Sequence, residues 1–256
     1  MFMRFGYSML GRFGLILAGL FILCCFLYLR VARARGAPQT SRLAQVKERV
    51  WATVVHELKK NGFKPGAPVF VRIFKESSEL ELWLRDEIGG RYRLFSTYRI
   101  ATWGGQRLGP KLKQGDGVAP EGFYNVGAKQ LNPQSKFHLA FNVGYPNGLD
   151  KSLKRTGDFI MVHGSDVSIG CFAMTDSQIE IIYLIVEAAL RAKQDEFQVH
   201  IFPFRMTPAR LEKEKASEYH AFWTNLKEGY DHFEATKIPP LIGHRDHKYV
   251  FKRQTP

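Results

Sequence analysis

Three runs between residues 68 and 100 alternate apolar with polar side chains at a period of two, and this alternation constrains the fold most. They are PVFVRIF (68–74), ELELWL (79–84) and RYRLFSTYRI (91–100). A helix repeats every 3.6 residues, so a period of two reads as strands. The Gly89-Gly90 pair suits a hairpin between the second and third. Further strands are predicted at 123–126, 137–143, 159–163 and 197–204. Helical spacing appears at 41–60, where Leu43, Val46, Val50, Val54 and Leu58 share a face and Asn61-Gly62 supplies a stop. A second helix is predicted after Thr175 or Asp176, either of which suits an N-cap. Ile179, Ile182, Tyr183, Val186, Ala189 and Leu190 would form its apolar face. A third helix is predicted at about 207–226, and the last thirty residues give no clear pattern. The fold class is mostly β with flanking helices, an α+β domain.

The first 36 residues stand apart. Residues 13–29 (FGLILAGLFILCCFLYL) are 17 in a row without a charge. As a helix they would span roughly 25 Å, just short of the ~30 Å hydrocarbon core. They read as a signal-peptide core or a short membrane anchor. Arg30, Arg33 and Arg35 follow directly and weaken the charge bias that would orient an anchor. The expected organisation is therefore 1–36 as signal or anchor, 37–62 as linker and amphipathic helix, 63–206 as the catalytic domain and 207–256 as a C-terminal helix and tail. The expected location is the periplasm, free or held at the inner membrane.

The net charge is +13; five arginines and no acid lie in residues 1–36, so the rest carries +8. A basic exported domain is drawn to polyanionic surfaces such as wall polymer or lipid headgroups. The basic residues are scattered and no recognition motif appears, which argues against nucleic acid as a partner. The loop at 102–122 is rich in Gly, Pro and Lys, but Pro110 follows Gly109, so it holds no phosphate-binding GxxxxGK[ST].

Cys24 and Cys25 lie in the apolar run and read as two of its apolar residues. Cys171 is then the sole cysteine of the remainder. It has no partner for an internal disulfide, so it is either inert and buried or kept for chemistry. Its surroundings, MVHGSDVSIGCFAMTD (161–176), favour chemistry. A thiol titrates near ~8.5 and needs a base to become the nucleophilic thiolate. His163, at the end of an apolar strand, is eight residues away across a loop of small residues. Gly170 leaves room for a substrate carbonyl, and the N–H groups of Gly170 and Cys171 are candidates for an oxyanion hole, a term worth ~3–4 kcal/mol per donor. The plainer alternative is a strand-end histidine and a buried thiol that never meet. A zinc site drawing on His138, His163, Cys171 and His200 lacks any close-spaced ligand pair, so no metal and no cofactor is expected. The absence of CxxC argues against thiol–disulfide exchange.

His163-Gly164 followed by Ser168-Ile169-Gly170-Cys171 resembles the catalytic signature of the L,D-transpeptidases of the YkuD-type fold. The segments LELWL, LGPKLKQGD, PEGFYNV, HLAFNVGYPN, KRTGD and VHIFPFRMT extend that resemblance toward the YafK-like, murein-active subgroup. The resemblance implies a mostly β catalytic domain and cysteine acyl transfer on peptidoglycan stem peptides, with Cys171 as nucleophile and His163 as base. Gly164, Ser168 and Gly170 would belong to the catalytic loop. A group near 164–168, side chain or backbone carbonyl, would orient the histidine. Tyr124 and His138 fall on strands that the resemblance places near the site, where either would line a stem-peptide groove; for His138 a hydrogen-bonded structural role is the competing reading. The chain departs from the wider family in a shorter His–Cys loop, in Ile169 where a polar or basic residue is common, and in Ala173 where an arginine is common. Arg205 is the candidate to replace that charge, against a plain surface salt bridge; Lys111 and Lys113 are weaker candidates. Ser165 and Asp166 shape the turn. These departures point to hydrolysis. The implied reaction is an amidase releasing wall-anchored lipoprotein from diaminopimelate. The alternatives are a transpeptidase that cross-links the wall or attaches protein to it, and a non-catalytic wall-binding module.

Overall fold

The computed structural model describes residues 36–192 and 194–253. The signal or anchor expected at 13–29, with Cys24 and Cys25, lies outside the described residues. Among the described residues no helix is long and apolar enough to cross a membrane.

The helix expected at 41–60 is α1 (Ser41–Lys60). The Thr40 side chain accepts from Leu43 N–H at its start; Asn61 caps its end and Gly62 follows at φ +76°. One five-stranded sheet runs, in spatial order, β3 (Tyr92–Arg99), β2 (Glu79–Arg85), β1 (Val69–Phe74), β10 (Glu196–Phe202) and β5 (Gly122–Gly127). The β1–β10 pair is parallel and the others are antiparallel. A second sheet of short strands runs β4 (Thr102–Trp103), β9 (Phe172–Ala173), β8 (Met161–His163), β7 (Ala140–Asn142) and β6 (Leu131–Asn132). The helix α3 (Asp176–Arg191) packs on β1 and β10 of the first sheet and on β7 and β8 of the second. Between β7 and β8 lies the single-turn α2 (Gly148–Ser152).

The period-two pattern marks strands, and in β1 both faces are buried. Val69, Val71 and Ile73 face the core shared with Leu43, Val54 and Leu58 of α1 and Ile179 and Ile182 of α3. Phe70 and Trp83 face Phe233 on the opposite side, which belongs to α5 (His220–Thr236). The polar members of the pattern are paired inside. Arg72 Nε donates to Glu81 Oε2 at 2.8 Å, and its guanidinium lies 4.8 Å from the Phe233 ring centroid. A buried charge is tolerated only when paired in this way.

Two further boundaries differ from expectation for visible reasons. The strands expected at 137–143 and 159–163 shorten to β7 and β8, because His138 (φ +66°) and Phe159 (φ +51°) leave the extended region. The helix expected at 207–226 is two helices, α4 (Pro208–Glu212) and α5. Leu211, Trp223 and Leu226 all reach one apolar cluster, so the axis must turn between them. The unassigned C-terminal stretch forms a hairpin, β11 (Leu241–Arg245) and β12 (Lys248–Lys252). Its two-residue turn, Asp246-His247, has φ +50° and +57°, which suits the right-handed twist of paired strands. Asn225 of α5 clasps Tyr249 of the hairpin through both backbone groups, at 2.8 and 3.1 Å.

Candidate active site

The short parallel pair β8–β9 brings the two candidate catalytic residues together. Val162 lies beside Phe172 and His163 beside Ala173. Side chains alternate along a strand, so Met161 and His163 share one face with Ala173 and with Cys171, which immediately precedes β9. Met161 N–H donates to Cys171 Sγ at 3.3 Å, and Sγ lies 3.5 Å from Phe159 O. Two residues of rise and one strand spacing put the Cα atoms of His163 and Cys171 about 8 Å apart. Among the described residues the thiol and the imidazole are not hydrogen-bonded to each other; catalytic hydrogen bonds are often long without substrate and tighten in its complex.

The candidate for the group that orients the histidine is a backbone carbonyl. His163 Nδ1 lies 2.5 Å from Gly164 O, so Nδ1–H donates there and Nε2 is left as the proton acceptor. The Phe137 ring lies 4.8 Å from the imidazole. Gly164 is required by close approach: a Cβ there would stand 2.5 Å from Asp176 Oδ1 and 2.9 Å from Phe137 O. Asp176, the first residue of α3, accepts from Ser165 N–H at 2.8 Å and holds the turn after the histidine. Thr175, the alternative N-cap, makes no capping bond.

The N–H groups of Gly170 and Cys171 differ from expectation. Both point to Ser168 Oγ, at 3.4 and 2.9 Å, so Ser168 caps the turn that presents the cysteine and occupies the place proposed for a substrate oxygen. Around the pair Phe137, Phe159, Val167 and Ile169 are exposed, Ile169 to 91%. Burial pushes the Cys171 thiol above its ordinary range, partly offset by Met161 N–H and the charge of Lys111. Burial lowers the His163 pKa, partly offset by the Gly164 carbonyl. The resting pair is therefore a neutral thiol and a neutral imidazole, with the imidazole available as a base.

A wall is formed by the loop 104–121, which the sequence shows as a Gly-, Pro- and Lys-rich loop with Lys111 and Lys113 as weaker candidates. Gly104 N–H donates to Cys171 O at 3.1 Å, and a Cβ on Gly104 would fall 2.2 Å from Gly170 Cα. The loop is riveted by a fully buried ion pair, Lys75 Nζ to Glu121 Oε1 at 2.8 Å. Lys75 also donates to the carbonyls of Gly109 and Ala119, and Glu121 accepts from Gly109 N–H and from Trp223 Nε1. At its tip Asp116 accepts from Lys111 Nζ at 2.6 Å and from the N–H groups of Leu112, Lys113 and Val118. The signals available were the Gly104-Gly105 pair and Asp116 inside a glycine turn.

Of the candidates for substrate contact, Tyr124, His138 and Arg205 do not join this site. Tyr124 is buried, with its hydroxyl on Glu121 O and Asp150 Oδ2 at 3.3 and 3.2 Å; burial and the Asp150 charge push its pKa well up. It belongs to a buried network with Asp150, Arg155 and Asn147 rather than to a groove. The His138 ring is held 2.7 Å from the Glu180 carboxylate, the structural alternative. Arg205 is committed to Glu79 and Glu81 and lies over Phe74. Ala173 is fully buried beside His163, with no room for an arginine. Lys113 is exposed. His200 is sealed among the rings of Phe70 and Phe123, apart from Cys171. Among the described residues no three His, Cys, Asp or Glu side chains converge in a metal-holding group.

The YkuD family, described as the L,D-transpeptidase catalytic domain, matches residues 71–229. The chain is 43% identical over 188 residues to the Escherichia coli (strain K12) protein named "Putative L,D-transpeptidase YafK", a match covering 73% of this chain and 75% of that protein. Among solved structures it is similar to the helical cell shape determining protein Pgp2 from Campylobacter jejuni (19% identity, 75% of this chain and 80% of that chain, TM-score 0.42). A point mutant of Pgp2 aligns at 24% identity over 58% of this chain and 53% of that chain, with a TM-score of 0.43. On the family match and the 43% identity, this chain belongs to the L,D-transpeptidase catalytic domain family.

Proposed function

We propose that this protein is a cysteine acyl-transfer enzyme of peptidoglycan stem peptides, working by hydrolysis. Cys171 Sγ attacks an amide carbonyl carbon while His163 Nε2 takes the thiol proton. The C–N bond breaks, the proton passes to the leaving amine, and a thioester remains on Cys171. Water then attacks the thioester, giving its proton to His163, and the thiolate leaves and is reprotonated. The observation that supports this reading is the β8–β9 pairing. It puts Cys171 on the same face as a histidine whose Nδ1 is already engaged by Gly164 O. Hydrolysis rather than cross-linking is favoured by Ala173, buried where the family commonly has an arginine for substrate-carboxylate contact. The substrate bond we favour joins diaminopimelate to a wall-anchored lipoprotein. Export to the periplasm would follow from the uncharged run at 13–29, which would reach the membrane itself if retained.

The test is mass spectrometry of sacculus digests and lipoprotein-linked muropeptides after incubation with the protein or with Cys171→Ala. Loss of mass at the linked diaminopimelate, absent with the variant, is the expected result. New cross-linked dimers would replace hydrolysis by transpeptidation. No change on either substrate, with sacculus binding intact in the variant, would replace catalysis by wall binding.

A further inference from the structure

Lys111 is a buried cation with an unusual degree of support. Its ammonium donates to Asp116 Oδ1 at 2.6 Å and to Lys113 O at 3.0 Å, and its third N–H has no acceptor among the described residues. Its stem is fixed by Gly157, where a Cβ would stand 3.0 Å from Lys111 Cε. The segment that holds the stem also touches the nucleophile, for Phe159, two residues past Gly157, places its carbonyl 3.5 Å from Cys171 Sγ. On the other side Asp116 anchors Val118 N–H, and the adjacent Gly117 lies against Gly104, whose own neighbour is Gly170. The Lys111–Asp116 pair is thus bracketed by the two segments that border the thiol. The titratable groups on the segments bordering Cys171 are the neutral His163 on β8, Lys111 and Asp116 on the wall loop, and the exposed Asp158 and Asp166 on the adjoining turns.

The neutral resting pair leaves a problem for the chemistry. A thiolate must form in a buried place, and the arginine that the family commonly carries near the cysteine is replaced by buried Ala173. We propose that Lys111, clamped by Asp116, is the positioned cation whose field stabilises the Cys171 thiolate. This rests on Cys171 being the nucleophile. Lys111 acts on the thiol across the cleft and does not exchange a proton with it. Burying an ammonium costs desolvation, which Asp116 and the Lys113 carbonyl offset. The same arrangement explains why the loop is riveted by a second buried pair, Lys75–Glu121, since a cation that acts through space must be held at a fixed distance.

The experiment measures the rate of iodoacetamide alkylation at Cys171, read on its own peptide by mass spectrometry, from pH 6 to 10. The full chain is used, with Lys111→Met, Lys111→Arg and the double change Lys111→Met with Asp116→Asn, which leaves no orphaned carboxylate. Circular dichroism establishes folding for each. The expected result is an alkylation profile displaced upward by about one pH unit in both neutral variants, so that alkylation near neutral pH slows about tenfold, with Lys111→Arg close to wild type. Lys248→Met, an equal charge change on the C-terminal hairpin, should leave the profile in place. A folded double variant with the wild-type profile would overturn the proposal. The profile does not depend on turnover. If it shifts while no wall substrate is cleaved, the electrostatic role stands and the enzymatic reading fails. If Cys171-dependent turnover persists with an unshifted profile, the reverse holds.

Discussion

Gly104→Ala is the sharpest probe of how the cysteine is positioned. The new Cβ would lie 2.2 Å from Gly170 Cα, 2.8 Å from Gly170 C and 2.7 Å from Gly117 O. All three are backbone atoms, so no side chain can swing aside. To restore even a tight 3.4 Å contact, Gly170 Cα must retreat by about 1.2 Å, and carbon pairs prefer about 3.5–4.0 Å. Overpacking of this kind costs about 1–3 kcal/mol, and backbone on two sides argues for the upper end, a fall of about 6–12 °C in Tm. Displacing a nucleophile by about 1 Å costs about 100-fold in rate. The expected result is a folded protein with a lowered Tm, a changed Cys171 alkylation rate and about 100-fold lower turnover. Gly115→Ala is the control: nothing lies within 4 Å, and its φ of +77° charges only about 1–2 kcal/mol of backbone strain. A Gly104→Ala protein with native Tm and native alkylation rate would refute the packing of the wall loop against Gly170.

Burial holds the His163 pKa below 6.5, so the base should stay competent below pH 6.5, and the acid limb of kcat/KM should fall under that value; a limb above it would contradict a buried neutral imidazole. The same shift has a stability sign: below pH 6.5 the unfolded chain binds a proton that folded His163 refuses, so stability falls with pH there, and His163→Asn should remove that slope in urea titrations. For Asp116, burial pushes the carboxyl up, but the Lys111 ammonium and three N–H groups outweigh it and bring the pKa to about 2. Its contribution, about 2 kcal/mol, is complete above about pH 4 and lost as pH falls toward 2, so Asp116→Asn should flatten acid unfolding in that window. Glu121→Gln leaves Lys75 charged and unpaired in a fully buried position, and thermal unfolding should report a loss of about 3–5 kcal/mol.

The elements that were legible in sequence are those whose patterns are local. The α1 helix shows its face and its Asn61-Gly62 stop, and His163 and Cys171 show themselves through a lone thiol in a small-residue loop. What escaped was set by tertiary contact. Alternation cannot distinguish a wet face from a second core, so the burial of Arg72 and Glu81 was not legible, and α5 supplies that second core from about 150 residues away. Tyr124 and His138 sit on or beside strands that border the site region, yet Asp150 and Glu180 turn them inward, and neither partner is near in sequence. The N–H groups of Gly170 and Cys171 were read from position alone, whereas Ser168 Oγ, three residues away, claims both. The turn of the C-terminal hairpin carries no glycine or asparagine, so its left-handed pair, Asp246-His247, gave no signal.

The site is assembled from two supports whose main anchors lie in different parts of the fold. The parallel strands fix His163 relative to Cys171, and they are held by α3 through Asp176 and by the apolar packing of Val162 and Phe172. The wall loop fixes Gly104 and Lys111 relative to the same cysteine, and it is held by Lys75, Glu121 and Trp223 on the far side. These supports meet where Gly104 lies against Gly170–Cys171 and where β4 pairs with β9. Changes at Trp223 or Glu121 should therefore alter thiol reactivity while leaving the His163–Gly164 hydrogen bond in place. Changes at Asp176 should do the opposite, disturbing the acid limb set by His163. If perturbing either support moved both readouts together, the two-support description would be wrong and the loop and strands would form a single unit.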